Sequence, residues 1–294
     1  MSVAVPLPNP RLRGIFAMIG AMGALSALDA VAKWLTAGYP VTEVVFFRSV
    51  FTMLPVGVML AREGGFGSLR TQRLGAHLLR AAIGVATASC FFMAVWLMPL
   101  ADATAIVFTG TLFVTALSVP LLGERVGPRR WAAVLVGFLG AMVIVRPGMG
   151  VFGTGAWFAL GAAFCYALVA ISTRWLGRTE NSTTMAFYYA AFGGLISLAG
   201  LPFGWVMPTW EDLGLFVLLG LFGGVGSLLL GEAFRHAPVA LVAPFEYTAL
   251  VWATILGFVF WHELPDAFTW AGAAILVASG LYVMHREHKM KGED

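Results

Sequence analysis

Long apolar runs, separated by short clusters of charged or helix-breaking residues, fill the chain from Leu12 to His285. No Asp, Glu, Lys or Arg occurs in Gly14–Leu28, Ala81–Ala101, Ala103–Gly123, Asn181–Trp210, Leu213–Gly231 or Ala267–Met284. A helix needs about 20 residues at ~1.5 Å each to cross ~30 Å of hydrocarbon. The runs have that length and lack the period-two alternation of a membrane barrel. The pattern predicts an all-α membrane protein with ten transmembrane helices. These are helix 1 Leu12–Thr36, helix 2 Thr42–Ala61, helix 3 Gly75–Leu97, helix 4 Ala101–Leu122 and helix 5 Arg129–Val145. Helix 6 is Thr154–Leu176, helix 7 Thr183–Leu201, helix 8 Glu211–Phe234, helix 9 Val239–Trp261 and helix 10 Asp266–His285. Tyr39-Pro40, Pro99, Gly127-Pro128, Pro147-Gly148, Pro208, Pro238 and Pro265 fall between them, as turn residues should.

The pattern is written twice. Placing Glu124 on Glu263 sets Pro99 on Pro238, Ala101 on Ala240, Thr109 on Thr248, Thr115 on Thr254, Leu117 on Leu256 and Trp131 on Trp270, without a gap. The first parts of the halves agree more weakly: Gly20, Ala21, Trp34 and Leu35 fall on Gly161, Ala162, Trp175 and Leu176, with Lys33 on Arg174. The expected division is 1–148 and 149–294. Five helices per copy is an odd number, so the second copy enters the membrane the opposite way up. Two inverted five-helix repeats are a transporter signature, with the binding site near the bilayer midplane between them.

Composition supports this class. Of 294 residues, 60% are hydrophobic and 11% charged, against roughly 25% charge in a soluble domain. The net charge of +3 is loop charge and no nucleic-acid footprint. Orientation follows from Lys and Arg placement. With the N-terminus cytoplasmic, fourteen of the 18 basic residues lie on that side, among them Arg62, Arg73, Arg129, Arg130, Arg174, Arg178 and Arg235. Only Lys33 and Arg146 lie opposite, while Arg48 and Arg80 fall within spans. The expectation is an inner-membrane, multi-pass protein with both termini cytoplasmic. The first run is too long for a signal-peptide core and stays as helix 1. Cys90 and Cys165 lie inside spans, which argues against a structural disulfide.

Ionisable groups inside spans are the default candidates for function. Asp29 and Lys33 stand one turn apart on one face of helix 1, able to meet an ammonium and a carboxylate, or simply to neutralise each other. Arg48 has no acidic residue one turn away, and reads first as a structural tie to carbonyls or a neighbouring carboxylate, with anion recognition or a charge network across helices as the alternative. His77 and Arg80 are neighbours on helix 3 and could line a cytoplasmic mouth. Glu246 follows Pro244, whose missing N–H bends helix 9 and frees a carbonyl. Glu246, and after it Asp29, are the carboxylates best placed to carry a proton; Glu246 could instead pair with Arg48 or Arg80. Phe108, Tyr166 and Tyr247 are the aromatics that would wall an apolar cavity. Asp102 reads as the cap of helix 4, Glu124 and Glu263 as loop residues, and Glu232 as interfacial. Gly220 and Gly224 are spaced for close helix packing. Helices 1, 3, 4, 6, 8 and 9 are expected to line the cavity, with helices 5 and 10 peripheral.

Val45-Phe46-Phe47-Arg48, Gly123-Glu124-Arg125, Val145-Arg146-Pro147-Gly148, Ala243-Pro244-Phe245-Glu246-Tyr247 and His262-Glu263-Leu264-Pro265-Asp266 occur in the order of a known family. On these residues the chain resembles the drug/metabolite transporter superfamily, in its ten-helix branch of two EamA-type repeats. The resemblance covers nearly the whole chain and implies a small-solute permease. Within the branch it looks most like amino-acid exporters of the YddG type. The family usually shows Gly-Glu after helix 9, where this chain has His262-Glu263.

No enzyme motif competes. His262-Glu263-x-x-Asp266 lacks the second His of a zinc protease motif, and there is no Gly-x-Ser-x-Gly, phosphate loop or Cys/His metal cluster. The reading is a secondary transporter moving small amphipathic metabolites, amino acids first, outward by alternating access. Uptake, or export of lipophilic cations, is the alternative. It needs no cofactor and no metal. Its partners are a small-molecule substrate and the lipid bilayer, with proton coupling at a buried carboxylate, no nucleic acid, and a monomeric or homodimeric state.

Overall fold

The described residues form ten spans that run up and down. The computed structural model describes residues 10–62, 65–123, 126–146 and 153–291. Glu124, Arg125, Pro147, Gly148 and the junction expected at 148/149 lie outside those residues. Among the described residues there is no strand. We number the spans α1 Pro10–Leu35, α2 Val41–Arg62, α3 Leu74–Leu97, α4 Leu100–Leu122 and α5 Pro128–Val145. The second set is α6 Gly153–Leu176, α7 Ser182–Ser197, α8 Trp210–His236, α9 from Val239 to Trp261, and α10 Ala267–Lys291. Eight of these are long and apolar enough to cross a membrane. The α-helical part of α7 is shorter, but a 3-10 turn, Leu198–Phe203, extends it. The apolar part of α10 is Ala267–Val283.

The packing follows a pseudo-two-fold. Helix α1 packs mainly on α8, and α3, the counterpart of α8, mainly on α6, the counterpart of α1. The α2–α8 contact is matched by α3–α7, and α1–α9 by α4–α6. Three pairs meet their own counterparts: α2 with α7, α4 with α9, and α5 with α10. Helices α5 and α10 pack chiefly on each other, and Gly140 and Gly272 lie so close that a Cβ on either would press on the other's carbonyl oxygen. Gly220 and Gly224 do the same service for α8, lying against Phe51 and Pro55 of α2.

Two spans are interrupted, at equivalent residues. Helix α4 consists of Leu100–Val107 and Thr109–Leu122, joined at Phe108. Helix α9 is Val239–Val242, a 3-10 turn Ala243–Tyr247, and Thr248–Trp261. Pro244 signals the second break; nothing so plain signals the first, and the expected unbroken helix 4 is corrected here. Thr109 and Thr248 each turn their hydroxyl back onto the carbonyl three residues earlier, at 2.7 and 2.6 Å. Those bonds use carbonyls that the breaks expose. Asp102 is also corrected: Pro99 occupies the cap position of α4, and Asp102 is a buried first-turn residue whose Oδ1 finds no hydrogen-bond partner among the described residues.

The second half of each repeat ends alike. Gly123 closes α4 and His262 closes α9, both left-handed, at φ 69° and 56°. A left-handed residue is natural for glycine and unfavourable for a side chain by roughly 1 kcal/mol. His262→Gly should therefore stabilise the protein by about 1 kcal/mol; a detergent melting curve that stays put or falls would refute the strain.

Asp266 caps α10, accepting from the Thr269 amide at 2.8 Å, and pairs with Arg146 across the gap between halves. The Thr269 amide and the Arg146 guanidinium hold its carboxyl below the ordinary carboxylate range. Its stabilisation is thus in place above that range and lost as pH falls through the lowered value. Asp266→Ala should cost about 1 kcal/mol at neutral pH. The gap in melting temperature between variant and wild type should close on acidification; a gap constant with pH would show that the charge is irrelevant.

Candidate functional site

A cavity of about 440 Å³ opens between α2, α3, α6, α7 and α8. It runs from Arg48 and Ser49, mid-span in α2, to Ser182 and Phe234 at the end of the bundle that carries Arg62, Arg174, Arg178 and Arg235. Close approach makes room for it: the glycine pair Gly223 and Gly224 of α8 faces Thr52 and Pro55 of α2. The wall differs from the one expected. Helices α2 and α7 supply much of it, while α1, α4 and α9 supply none. The reason is geometric: α4 and α9 turn toward each other on the two-fold axis, leaving the space beside α2 and α7 open. As expected, α5 and α10 stay outside.

The polar lining is specific. Arg80 donates from Nε to the Thr173 hydroxyl at 2.9 Å and from a terminal nitrogen to the Met185 carbonyl at 3.3 Å, and lies over the Tyr189 ring at 5.1 Å. Arg48 lies over the Phe92 ring, 5.9 Å from its centroid. Asp29 of α1 is near enough to Arg48 to interact electrostatically but not within ion-pair distance. The hydroxyls of Thr52, Thr173 and Ser227 are turned back on their own helices, at 2.7 to 2.8 Å from carbonyls one turn earlier.

Of the eight sequence-predicted residues, Arg80 alone lines this cavity. His77, one turn away on α3, is buried beside it: its Nε2 is 3.7 Å from Glu180, its ring is against Tyr188 at 4.8 Å, and neither nitrogen has a hydrogen-bond partner among the described residues. Glu180 also accepts from the Thr71 hydroxyl at 2.8 Å, tying the α2–α3 connection to the α6–α7 turn.

Four others gather elsewhere, around the broken helices. Phe108 and Tyr247 are equivalent residues in the two halves, and their rings meet at 4.9 Å. A residue that touches its own counterpart sits on the pseudo-two-fold axis. Tyr166 lies against Gly110 of α4, and Tyr247 presents its hydroxyl to Gly280 of α10. Glu246 is half-buried between them and close enough to both tyrosines to interact electrostatically. Among the described residues it has no ion-pair partner, so the pairing expected with Arg48 or Arg80 is not formed.

Lys33 departs most from expectation. Its partner is Glu263 rather than Asp29: Nζ lies 2.6 and 2.7 Å from the two carboxylate oxygens, donates to the Met98 carbonyl at 3.2 Å, and sits 5.0 Å from the centre of the Trp261 ring. Glu263, expected to be a plain loop residue, also accepts from the Leu100 amide at 3.3 Å. One ion pair thereby joins α1, the α3–α4 turn and the α9–α10 turn at the arginine-poor end. The same end holds Arg146–Asp266, the fully buried Glu43 accepting from the Val206 amide at 3.1 Å, and Tyr39 donating to Asp212 at 2.7 Å. Helix-to-turn contacts of this kind span residues hundreds of positions apart, so spacing along one helix could not reveal them. Glu232, expected at the interface, pairs with Arg13 at 3.3 Å at the opposite end.

The chain matches the model of the EamA-like transporter family twice, over residues 12–146 and 153–284. It is similar to a riboflavin transporter of Rhizobium johnstonii, 29% identical over 95% of this chain and 93% of that protein. A pseudopaline exporter of Pseudomonas aeruginosa is 30% identical, over 90% of this chain and 94% of its own. An S-adenosylmethionine uptake transporter of Rickettsia bellii is 29% identical, over 90% of each. A solved crystal structure superimposes with a TM-score of 0.63 at 22% identity, covering 94% of this chain and 96% of the other, a likeness of fold alone.

Glu263→Gln should destabilise the protein by about 2 kcal/mol, the range of a charge-assisted bond. In a Lys33→Met background the same change should cost clearly less. Fully additive losses in detergent melting would show that the two side chains do not act as a pair.

Proposed function

Because the chain belongs to the EamA-like transporter family, we propose that it is a secondary carrier moving a small amphipathic metabolite by alternating access through the central cavity. It is a membrane transporter and not an enzyme. One observation carries the mechanism: a cavity reaches mid-span from the arginine-rich end, while ion pairs and hydrogen bonds join helices and turns at the other. A carrier caught open to one side looks like this; a channel needs no such asymmetry. The two-fold packing supplies the second state, because each helix pairing of one half has a counterpart in the other. The halves 1–148 and 149–294 are the units we take to rock against each other. The arginine-rich end is placed in the cytoplasm of an inner membrane by the positive-inside rule, with both termini there.

Amino-acid export is one member of this class of activity. The relatives widen it: their names give riboflavin, pseudopaline and S-adenosylmethionine, and both export and uptake. Uptake is the second reading, favoured by uptake transporters of several Rickettsia species among the relatives. The phenols and carboxylate around Phe108 and Glu246 are the proposed coupling region, set where the interrupted helices meet.

Counterflow into proteoliposomes, with radiolabelled amino acids, riboflavin and S-adenosylmethionine and with or without a pH gradient, tests the proposal. Exchange of at least one solute is expected, with Glu246→Gln flattening any pH dependence. Absence of exchange for the whole panel by folded protein would sink the carrier reading.

A further inference from the structure

The wall of the cavity contains two guanidinium groups, Arg48 and Arg80, and no Asp or Glu. Arg80 is partly committed, to Thr173 and Met185. Among the described residues Arg48 makes no side-chain hydrogen bond and no ion pair; its neighbours are the Phe92 ring and, beyond ion-pair distance, Asp29. A guanidinium carries five N–H donors in a planar fork, suited to a carboxylate or a phosphate. Leaving that fork unsatisfied in the middle of a membrane protein is costly, and such residues mark substrate paths.

We infer that the cavity selects a solute bearing a net negative charge, whose carboxylate or phosphate is held by Arg48 and whose apolar or aromatic body lies toward Tyr189. The inference rests on the carrier reading for its biological sense, but concerns binding and is testable apart from transport. The two cations disfavour a lipophilic cation, because like charges in a low-dielectric site repel strongly. They also disfavour an amine lacking an acid group, since the lining offers no carboxylate to receive its ammonium. Tyr189, with Arg80 over its ring, gives the wall an aromatic side chain for an apolar or aromatic body to border. Gly223 and Gly224 are buried against Leu28 and Pro55 and hold α8 close to α2 beside Arg48. Arg48 is thus assigned as the specificity-determining residue, and Arg80 as a second cation fixed nearer the arginine-rich mouth.

The test uses the purified full chain in detergent and two probe sets matched in shape and differing in charge. One set is hydrocinnamate, hydrocinnamamide and phenethylamine; the other is flavin mononucleotide against riboflavin. The anionic member of at least one set should raise the melting temperature in a saturable way, with the neutral and cationic members binding about tenfold more weakly or not at all. Arg48→Gln should abolish the preference, and Arg48→Lys should keep part of it. Should Arg48→Gln not fold, protection of the wild-type Arg48 from phenylglyoxal by the anionic probe, read by mass spectrometry, gives the same answer. Stabilisation by phenethylamine equal to that by hydrocinnamate, or no stabilisation by any anion, overturns the inference. Charge-indifferent exchange in proteoliposomes would also overturn it while leaving the carrier intact. Anion binding at Arg48 without any vesicular exchange would instead sink the carrier and leave the site.

Discussion

Inside hydrocarbon, every backbone amide and carbonyl must find its partner within the protein, and most of this structure follows from that requirement. It forces the chain into helices. It also means that a helix can be interrupted only where protein or a water-filled space covers the break. The two interruptions, at Phe108 and at Ala243–Tyr247, fall where α4 and α9 cover each other on the pseudo-two-fold axis. Thr109 and Thr248 use exposed carbonyls there, and the aromatic side chains of the break residues fill the contact. A repeat that meets itself at its weakest point has a natural place to bend. Motion between two states then need not expose backbone to lipid, because whatever one half gives up the other half can take.

The two ends of the bundle are built from different forces. At the arginine-poor end, turns are tied to helices by a few short charged contacts, Lys33 with Glu263 and Arg146 with Asp266. Such contacts are directional and separable, unlike helix faces packed through glycine as in α5 and α10. At the arginine-rich end the cavity opens among α2, α3, α6, α7 and α8. With that end in the cytoplasm, an inside-negative potential favours outward movement of an anion by about 2.3 kcal/mol per charge for each ~100 mV. The sign of charge in the cavity and the direction of transport are therefore linked: an anion carrier without a coupling cation runs toward export, and uptake requires a proton or other cation to move with the solute.

Much of the architecture could be read from residues alone, because the bilayer leaves few options. Span number, order and ends followed from charge-free length, and the repeat from Pro99, Thr109 and Glu124 against Pro238, Thr248 and Glu263. What escaped was anything decided between spans. The break in α4 lacks a proline, and its signal, a glycine between two threonines at Thr109-Gly110-Thr111, is weak on its own. Lys33 and Asp29 are correctly spaced for an intrahelical pair, yet the carboxylate of Glu263, 230 positions away in sequence, approaches more closely. Arg48 was legible as an ionisable residue in a span, but its exposure to a cavity depends on Gly223 and Gly224 packing α8 near α2. Phe108, Tyr166, Glu246 and Tyr247 do come together, as separate sequence signals suggested, though beside the axis rather than in the open cavity.

An inverted repeat supplies symmetric shape, and chemistry must break that symmetry for a carrier to prefer one solute. Here α2 and α7 are counterparts that face each other across the cavity, yet α2 offers the cation Arg48 and α7 the ring of Tyr189. Helix α3 offers Arg80, while its counterpart α8 offers only uncharged residues at the wall, among them Ser227, Leu230 and Phe234. One side of the cavity is thus charged and the other is not. A solute with an acid group at one end and a flat body at the other fits this division in one orientation only. In the proposed alternating-access cycle the backbone exchanges the roles of its halves, but Arg48 and Tyr189 cannot exchange theirs. The affinity at the two faces of the membrane then differs through the surroundings of the same two residues, and selectivity is set by side chains that the repeat does not share.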